Sequence, residues 1–123
     1  MHDMPTPTPR ELEILKLLWR LGPSSVRAVH ETLLNDEPEL AFNTIQTMLR
    51  IMEKKGLVRH TLDGRTFIYA AKYTRDESTG RFLDRVFDGA VSELVQSLLR
   101  NERVTPAELA QLQTMIDDAR RKK

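Results

Sequence analysis

Cysteine is absent from this chain of 123 residues, and its absence removes several classes of chemistry at once. Without a thiol there is no disulfide framework, no thiolate metal site and no cysteine nucleophile. Aromatic residues make up only 6% of the chain and apolar residues 40%. This composition and length fit one small domain or two very small ones. Because so short a chain buries little surface per residue, we expect oligomerisation to supplement its core.

Long apolar runs are missing as well. The uninterrupted ones span a few residues, far fewer than the roughly 20 that a membrane-spanning helix needs. The N-terminal segment MHDMPTPTPRE contains no apolar stretch of the kind found in a secretory signal. We therefore expect no insertion into a membrane and a cytoplasmic location.

Motifs for catalysis and metal binding are also absent. His2, His30 and His60 are far apart in sequence, and there is no Gly-rich phosphate loop, HExxH motif or nucleophile context. His30 lies near the apolar stripe of a predicted helix, where a packed or surface histidine is commoner than a ligand. The sequence predicts no enzyme, no metal site and no cofactor.

Helical periodicity with capping signals describes the chain up to Gly56. The first helix, TPRELEILKLLWRLG, opens with Thr8 as the N-cap, proline at the first helical position and Glu11 to complete a capping box. The second, SSVRAVHETLLND, opens with a serine cap. The third, AFNTIQTMLRIMEKKG, ends at Gly56 as a C′ residue, and its core stripe consists of Ile45, Met48, Leu49 and Met52.

After Gly56 the apolar period changes to two, which indicates strands. The runs LVRHTL and RTFIYAA are separated by Asp63-Gly64, a pair typical of a hairpin with a type I′ turn. On this reading Arg65 is the first residue after the turn and projects from the hairpin. Three helices followed by a hairpin predict a helix-turn-helix core with a wing.

The third helix carries an unusual polar face opposite its core stripe. Amide and hydroxyl side chains come first and basic ones follow, which is the set that reads the major groove of DNA from the N-terminal part of a recognition helix. Residues 42–75 hold seven basic and two acidic side chains, a local charge of +5, whereas the whole chain carries +1. We predict that Gln46, Thr47 and Arg50 read base edges, and that Asn43 and Thr44 contact phosphate or bases at the start of the helix. Phosphate contacts are predicted for Lys54, Lys55 and Arg65. For any one of them the alternative is a capping role for Asn43 or Thr44 and ordinary surface for Gln46 or Thr47.

The C-terminal part reads as three further helices with wide apolar stripes and no second layer of their own. A unit of this size rarely stands alone, and a two-fold partner is an economical way to cover its stripes. We therefore predict a winged-helix DNA-binding domain over residues 1–75 and a helical dimerisation domain over residues 76–123. The fold class is mainly α with a small β-hairpin wing. The predicted dimer contacts are Phe82, Leu83, Val86, Phe87, Leu94, Leu98 and Leu112.

Five segments of the chain resemble the penicillinase-repressor family, the BlaI/MecI group of bacterial regulators. They are RELEILKLLW, NTIQTMLRIMEKKGLV, DGRTFIYAA, FLDRVFDGAVSELVQSLL and TPAELAQL. The resemblance implies a homodimer that binds an inverted-repeat, double-stranded DNA operator and represses transcription. It also implies release when a membrane-bound sensor protease, often one that responds to a β-lactam, cleaves the C-terminal domain. A copper-sensing branch uses C-terminal cysteines, which are absent here.

The chain departs from its relatives at the scissile bond, which in that family is Asn-Phe in the middle helix of the dimerisation domain. Alignment on the Thr105–Glu108 cap puts the equivalent bond near Ser97-Leu98, and the nearby Asn101 is followed by Glu102. We therefore expect a protease of altered specificity that cuts near Ser97-Leu98, release by another trigger, or a tail that is never cut. Two alternatives concern the whole chain: a winged helix used as a protein-interaction module, and a ligand-sensing repressor of another winged-helix family.

Overall fold

The computed structural model describes residues 6–122, which form six helices and a three-stranded antiparallel sheet. In chain order the elements are α1 (Pro9–Leu21), β1 (Ser24–Ser25), α2 (Val26–Leu34), α3 (Phe42–Lys54), β2 (Val58–Asp63), β3 (Thr66–Ala71), α4 (Arg75–Phe87), α5 (Val91–Arg100) and α6 (Pro106–Arg121). Residues 1–5, with His2 and the start of the segment considered as a signal, lie outside the described residues, as does Lys123. No described helix is long and apolar enough to cross a membrane.

Local hydrogen bonds set the ends of the first three helices, largely as predicted. Thr8 and Glu11 form the reciprocal capping box of α1, and the Ser25 hydroxyl accepts from the Ala28 N–H at 3.1 Å to cap α2. At the end of α3, Gly56 adopts a φ of 84°. Its N–H donates to the Glu53 carbonyl, and the N–H of the next residue reaches the Met52 carbonyl. This is a Schellman arrangement, so the predicted C′ glycine is confirmed.

The start of α3 settles one alternative that the sequence left open. Ala41 is the N-cap residue, and no side chain donates or accepts a capping hydrogen bond there. Asn43 and Thr44 therefore lie within the first turn and do not cap the helix.

The wing is a tight hairpin, but its turn is not the one predicted. Asp63 pairs with Thr66 as the last rung of the β2–β3 ladder, so the two central turn residues are Gly64 and Arg65. Among the described residues of the turn, only Gly64 has a positive φ, of 64°. A type I′ turn requires positive φ at both central positions, whereas type II′ requires it only at the first, where glycine stands. The predicted type I′ turn at Asp63-Gly64 was wrong: the turn lies one residue further along the chain, so Arg65 is in the turn itself and each residue of β2 pairs two residues further along β3 than predicted.

A third strand was not predicted. Ser24 and Ser25 pair with Tyr69 and Ile68 of β3, which gives the sheet the order β1-β3-β2. This short strand attaches the hairpin to the segment between α1 and α2. The wing is therefore connected to the helices at two places, through β1 and through the chain that leads from α3 into β2.

The apolar core lies between the first three helices and the base of the sheet. Trp19 closes its edge by donating its indole N–H to the Tyr73 carbonyl at 2.9 Å, and Met48 packs against the core while remaining partly exposed. The buried apolar residues are Ile14, Leu15, Leu17, Leu18, Val29, Leu33, Ile45, Leu49, Met52, Leu57, Val58, Tyr69 and Tyr73.

The chain divides into two compact units between Ser78 and Thr79. All the buried apolar residues belong to the first unit, whereas none of residues 79–122 is buried. Apolar side chains of the second unit lie well exposed on its helices, among them Phe82 at 50%, Val86 at 57% and Met115 at 61%. In a single copy of this second unit, the apolar faces of the helices therefore stay exposed and form no buried core.

Candidate nucleic-acid interface

The outward side of α3 carries most of the residues predicted to contact DNA. Ile45, Leu49 and Met52 turn inwards and are fully buried. The opposite side is exposed and presents Asn43, Thr47, Arg50 and Lys54. Because side chains three and four residues apart share a helix face, these four form one continuous polar strip along α3.

A groove beside this strip brings α3 and the wing together. It has a volume of about 550 Å³ and is bounded by the start of α2, the flank of α3 and the hairpin. Gln46 and Arg50 of α3 line it together with Arg65 from the turn. Three of the residues selected from sequence, two on α3 and one in the hairpin turn, thus converge on one concave surface.

Arg27 belongs to the same groove and was not predicted. It is the second residue of α2, and it lines the groove together with Arg50 of α3 and Arg65 of the hairpin turn. In a helix-turn-helix the first of the two helices crosses the phosphate backbone. A basic residue in the first turn of α2, two positions after the Ser25 cap, was the available signal for this position.

The three groove arginines have no anionic partner within the structure. Among residues 6–122, no ion pair or hydrogen bond engages the guanidinium groups of Arg27, Arg50 or Arg65. A ligand with negative charge can therefore bind them without first breaking an internal salt bridge. Guanidinium groups also suit planar, bidentate recognition of phosphates and of guanine edges.

Lys55 is used differently from the prediction. Its ammonium donates to both carboxylate oxygens of Glu11, at 3.0 and 2.8 Å, and Glu11 is only 4% exposed. Burial raises the pKa of Glu11, but the hydrogen bonds from Lys55 and Thr8 outweigh it and leave that pKa below its usual value. The charge of Lys55 thus helps to hold α1 against the end of α3, so Lys55 is less available for a phosphate than the exposed Lys54.

Thr44 lies on another side of α3 from the groove. It borders a second concavity formed with the loop between α2 and α3, which carries Glu37 and Glu39. Glu37 forms a bidentate pair with Arg10, and this hydrogen bonding keeps the pKa of the Glu37 carboxyl below its usual value. Carboxylates beside Thr44 disfavour a phosphate there, so Thr44 is the weakest member of the predicted set.

A polar cluster joins the end of α3 to the wing. Both carboxylate oxygens of Glu53 accept from His60 Nδ1, at 2.8 and 2.7 Å, and the His60 ring stacks on Phe67 with centroids 4.0 Å apart. Burial and the Glu53 carboxylate raise the pKa of the Tyr69 hydroxyl, while the Arg50 guanidinium lowers it. Glu53 and Arg50 therefore act with opposite charge on the hydroxyl of Tyr69, which lines the groove.

His30, the other histidine that the structure describes, is a packed residue, as expected. His30 Nε2 is 2.7 Å from the Leu40 carbonyl, and the ring meets Phe42 edge-on. Within the described part of the chain no three His, Cys, Asp or Glu side chains are grouped to hold a metal ion.

The predicted dimer and cleavage residues all lie on α4, α5 and α6. Leu83, Phe87 and Leu94 are half-buried within the single copy, and Phe82 contacts Phe87 edge-on at 6.1 Å. Ser97 and Leu98 are inside α5, with Leu98 38% exposed. Leu112 is 40% exposed on α6. Each of these side chains retains surface that a second molecule can cover.

Three helices, an exposed polar and basic third helix and an adjoining hairpin define the winged helix-turn-helix class of fold. The model of the penicillinase repressor family matches residues 7–118. The chain belongs to this family.

Similar proteins extend the comparison. The penicillinase repressor of Bacillus licheniformis is 26% identical over 127 aligned positions, which cover 100% of this chain and 98% of that protein. A solution structure of the DNA-binding domain of the repressor BlaI matches with a TM-score of 0.54 and 30% identity, covering 63% of this chain and 93% of that one. Monomeric Bacillus licheniformis BlaI in complex with the blaP half-operator matches with a TM-score of 0.51, again at 30% identity and with the same coverage.

Proposed function

We propose that this protein is a dimeric transcriptional repressor that binds an inverted-repeat DNA operator through α3 and the wing. One observation carries the proposal above all others. The groove assembles Gln46, Arg50 and Arg65 beside the exposed strip of α3, and no ion pair within residues 6–122 engages its guanidinium groups. A similar domain has been solved on a half-operator, which supports the same use of this surface here.

Within this interface we assign different tasks to different side chains. Gln46, Thr47 and Arg50 read base edges in the major groove, since amide, hydroxyl and guanidinium groups are the ones that match those edges. Asn43 contacts a base or phosphate at the start of α3. Lys54 and Arg65 hold phosphates on either side, and the groove adds Arg27 to this task.

The second unit supports assembly as a homodimer. It has no buried residue of its own among residues 79–122, although its helices carry large apolar side chains at regular spacing. Pairing with a second copy covers these faces, and a two-fold dimer matches the symmetry of an inverted repeat. We assign the dimer contacts to Phe82, Leu83, Val86, Phe87, Leu94, Leu98 and Leu112.

Release from the operator is proposed to follow damage to this second unit. A sensor protease, activated by a signal such as a β-lactam, would cut near Ser97-Leu98. That bond lies inside α5, so the helix must open locally before a protease can hold it. Co-expression with the cognate sensor, addition of inducer and mass spectrometry of the fragments test this step. Derepression with full-length protein intact would exclude cleavage as the trigger, and a cut outside residues 94–104 would refute the position.

The DNA-binding proposal is tested by selecting duplexes from a random pool with the purified protein. We expect an enriched inverted repeat whose half-sites are separated by about one or two helical turns. Affinity for the selected duplex should fall linearly in log salt, with a slope of about 0.9 for each phosphate contacted. No enrichment, together with binding to a protein that is insensitive to salt, would favour a winged helix used for protein interaction.

A further inference from the structure

Glu53 is the only acidic residue of α3, the helix that we propose reads the operator. It stands three residues after Arg50, a spacing at which a carboxylate and a guanidinium on one helix are neighbours and normally pair. No such pair forms in the structure, because both oxygens of Glu53 are used elsewhere. Arg50 therefore has no ion pair within residues 6–122, despite its adjacent acid.

His60 is the residue that occupies this carboxylate. Its ring Nδ1 is within 2.8 Å of each Glu53 oxygen, and its backbone N–H donates to Oε2 at 3.2 Å. The ring is held in turn by Phe67, which stacks on it almost in parallel, with 6° between the planes. Three contacts from the wing thus fix one side chain of α3.

We propose that His60 is a positioning residue that keeps the Glu53 carboxylate away from Arg50 and so leaves the Arg50 guanidinium available for DNA. The inference rests on the proposed function, since it explains how one DNA-reading side chain is kept competent. It also gives the wing a second task beside contact with phosphates.

Without His60, the Glu53 carboxylate and DNA would compete for the Arg50 guanidinium. A released Glu53 carboxylate lies one helical turn from Arg50 and can form an ion pair with it in the free protein, which DNA must then displace. The same carboxylate, no longer held beside the wing by His60, can also move towards the strip of α3 and repel phosphates that approach it. Both effects weaken binding without any change in the fold.

A double-mutant cycle on the full-length protein separates this role from a structural one. The variants are His60→Ala, Glu53→Gln and the two combined, with binding measured on the duplex selected by the unmutated protein. We expect His60→Ala to weaken binding about ten-fold, a loss within the range of one base contact. Adding Glu53→Gln should restore affinity to within about two-fold of the unmutated protein, because the competing charge is then gone.

Glu31→Gln in the His60→Ala background is the matched control. It removes another exposed carboxylate, on α2, and should not restore binding. Trp19 fluorescence during thermal unfolding checks that each variant is folded at the assay temperature.

If His60→Ala only displaces the wing, the double variant will bind as weakly as the single one, and the inference is overturned. Rescue by Glu31→Gln would overturn it too, since net charge would then be the cause. Failure of the unmutated protein to select any duplex would instead refute the proposed function.

Discussion

The ion pair between Glu11 and Lys55 offers a quantitative test of how the first unit is held together. It joins the first turn of α1 to the C-cap of α3, residues 44 positions apart. The side chain of Glu11 is 5% exposed and that of Lys55 is 31% exposed. Glu11→Gln is the informative change, because glutamine can still accept from the Thr8 N–H in the capping box but carries no charge.

The magnitude follows from the burial of the two partners. Exposed ion pairs contribute about 0–1 kcal/mol, whereas breaking a fully buried pair costs about 3–5 kcal/mol. This pair has one buried and one half-buried member, so we expect Glu11→Gln to lower the free energy of unfolding by about 2 kcal/mol at pH 7. Lys55→Met should cost at least as much, because it leaves the buried carboxylate without its cation.

The effect must also depend on pH in a defined direction. The pKa of Glu11 is lowered in the folded state, so the folded protein binds this proton less readily than the unfolded chain. The stability that it contributes is complete above the unfolded pKa of about 4.3 and is lost as pH falls through the lower folded value. The deficit of Glu11→Gln should therefore shrink as the pH falls through that lower folded value.

The assay is urea denaturation followed by Trp19 fluorescence. Trp19 is the only tryptophan of the chain and lies in the first unit, where its N–H is bonded to Tyr73. The control is Glu108→Gln, which alters the equivalent capping box of α6 at an exposed site and should leave the Trp19 transition unchanged. If Glu11→Gln does not lower the free energy of unfolding at pH 7, or lowers it equally at pH 7 and at acid pH, the assignment of Lys55 to this pair is refuted.

Three further predictions concern DNA and assembly. Gln46→Ala and Arg50→Ala should each relax sequence preference by about 1–3 kcal/mol at the base that is read; a repeated selection that returns the original sequence would remove them from readout. Lys54→Ala and Arg27→Ala should weaken all duplexes alike and lower the salt slope by about 0.9 each, as titrations at several salt concentrations can measure. Phe87→Ala should shift the protein towards monomer in sedimentation, because loss of a buried Phe costs about 3–5 kcal/mol. A stable monomer before mutation, at micromolar concentration, would contradict the proposed dimer.

The sequence predicted those features of the fold that depend on neighbouring residues. Helix caps at Thr8 and Gly56 were correct, because their hydrogen bonds reach only three to five residues along the chain. The hairpin was recognised from Asp63-Gly64, but its register was not. Moving the turn by one residue shifts every cross-strand partner by two residues, which keeps each side chain on the same face of the sheet. The alternating pattern of the two strands therefore fits both positions of the turn. Only the paired strands fix that register.

The sequence did not predict features that depend on contacts between residues far apart in the chain. The strand Ser24–Ser25 is too short to show any period, and it forms only because β3 provides an edge. Lys55 looked like a phosphate contact because it follows Lys54, and nothing near it in sequence indicates a buried partner in α1. Arg27 was missed for the converse reason: it lies outside the basic segment and reaches the groove only when α2 packs beside α3.

The contrast between the two units bears on how repression would be switched. The first unit contains all the buried apolar residues of the described chain, so we expect it to keep its fold without help from the second. The second contains none, so its helices gain most of their stability from whatever covers them. Under the proposed function, linking two DNA-binding units raises operator affinity by about 10²–10⁴ over one unit alone, without any new contact to DNA. A signal that disables the less self-sufficient unit therefore removes this gain while leaving the DNA-reading surface folded. Each released copy would still bind a half-site, but too weakly to hold the operator.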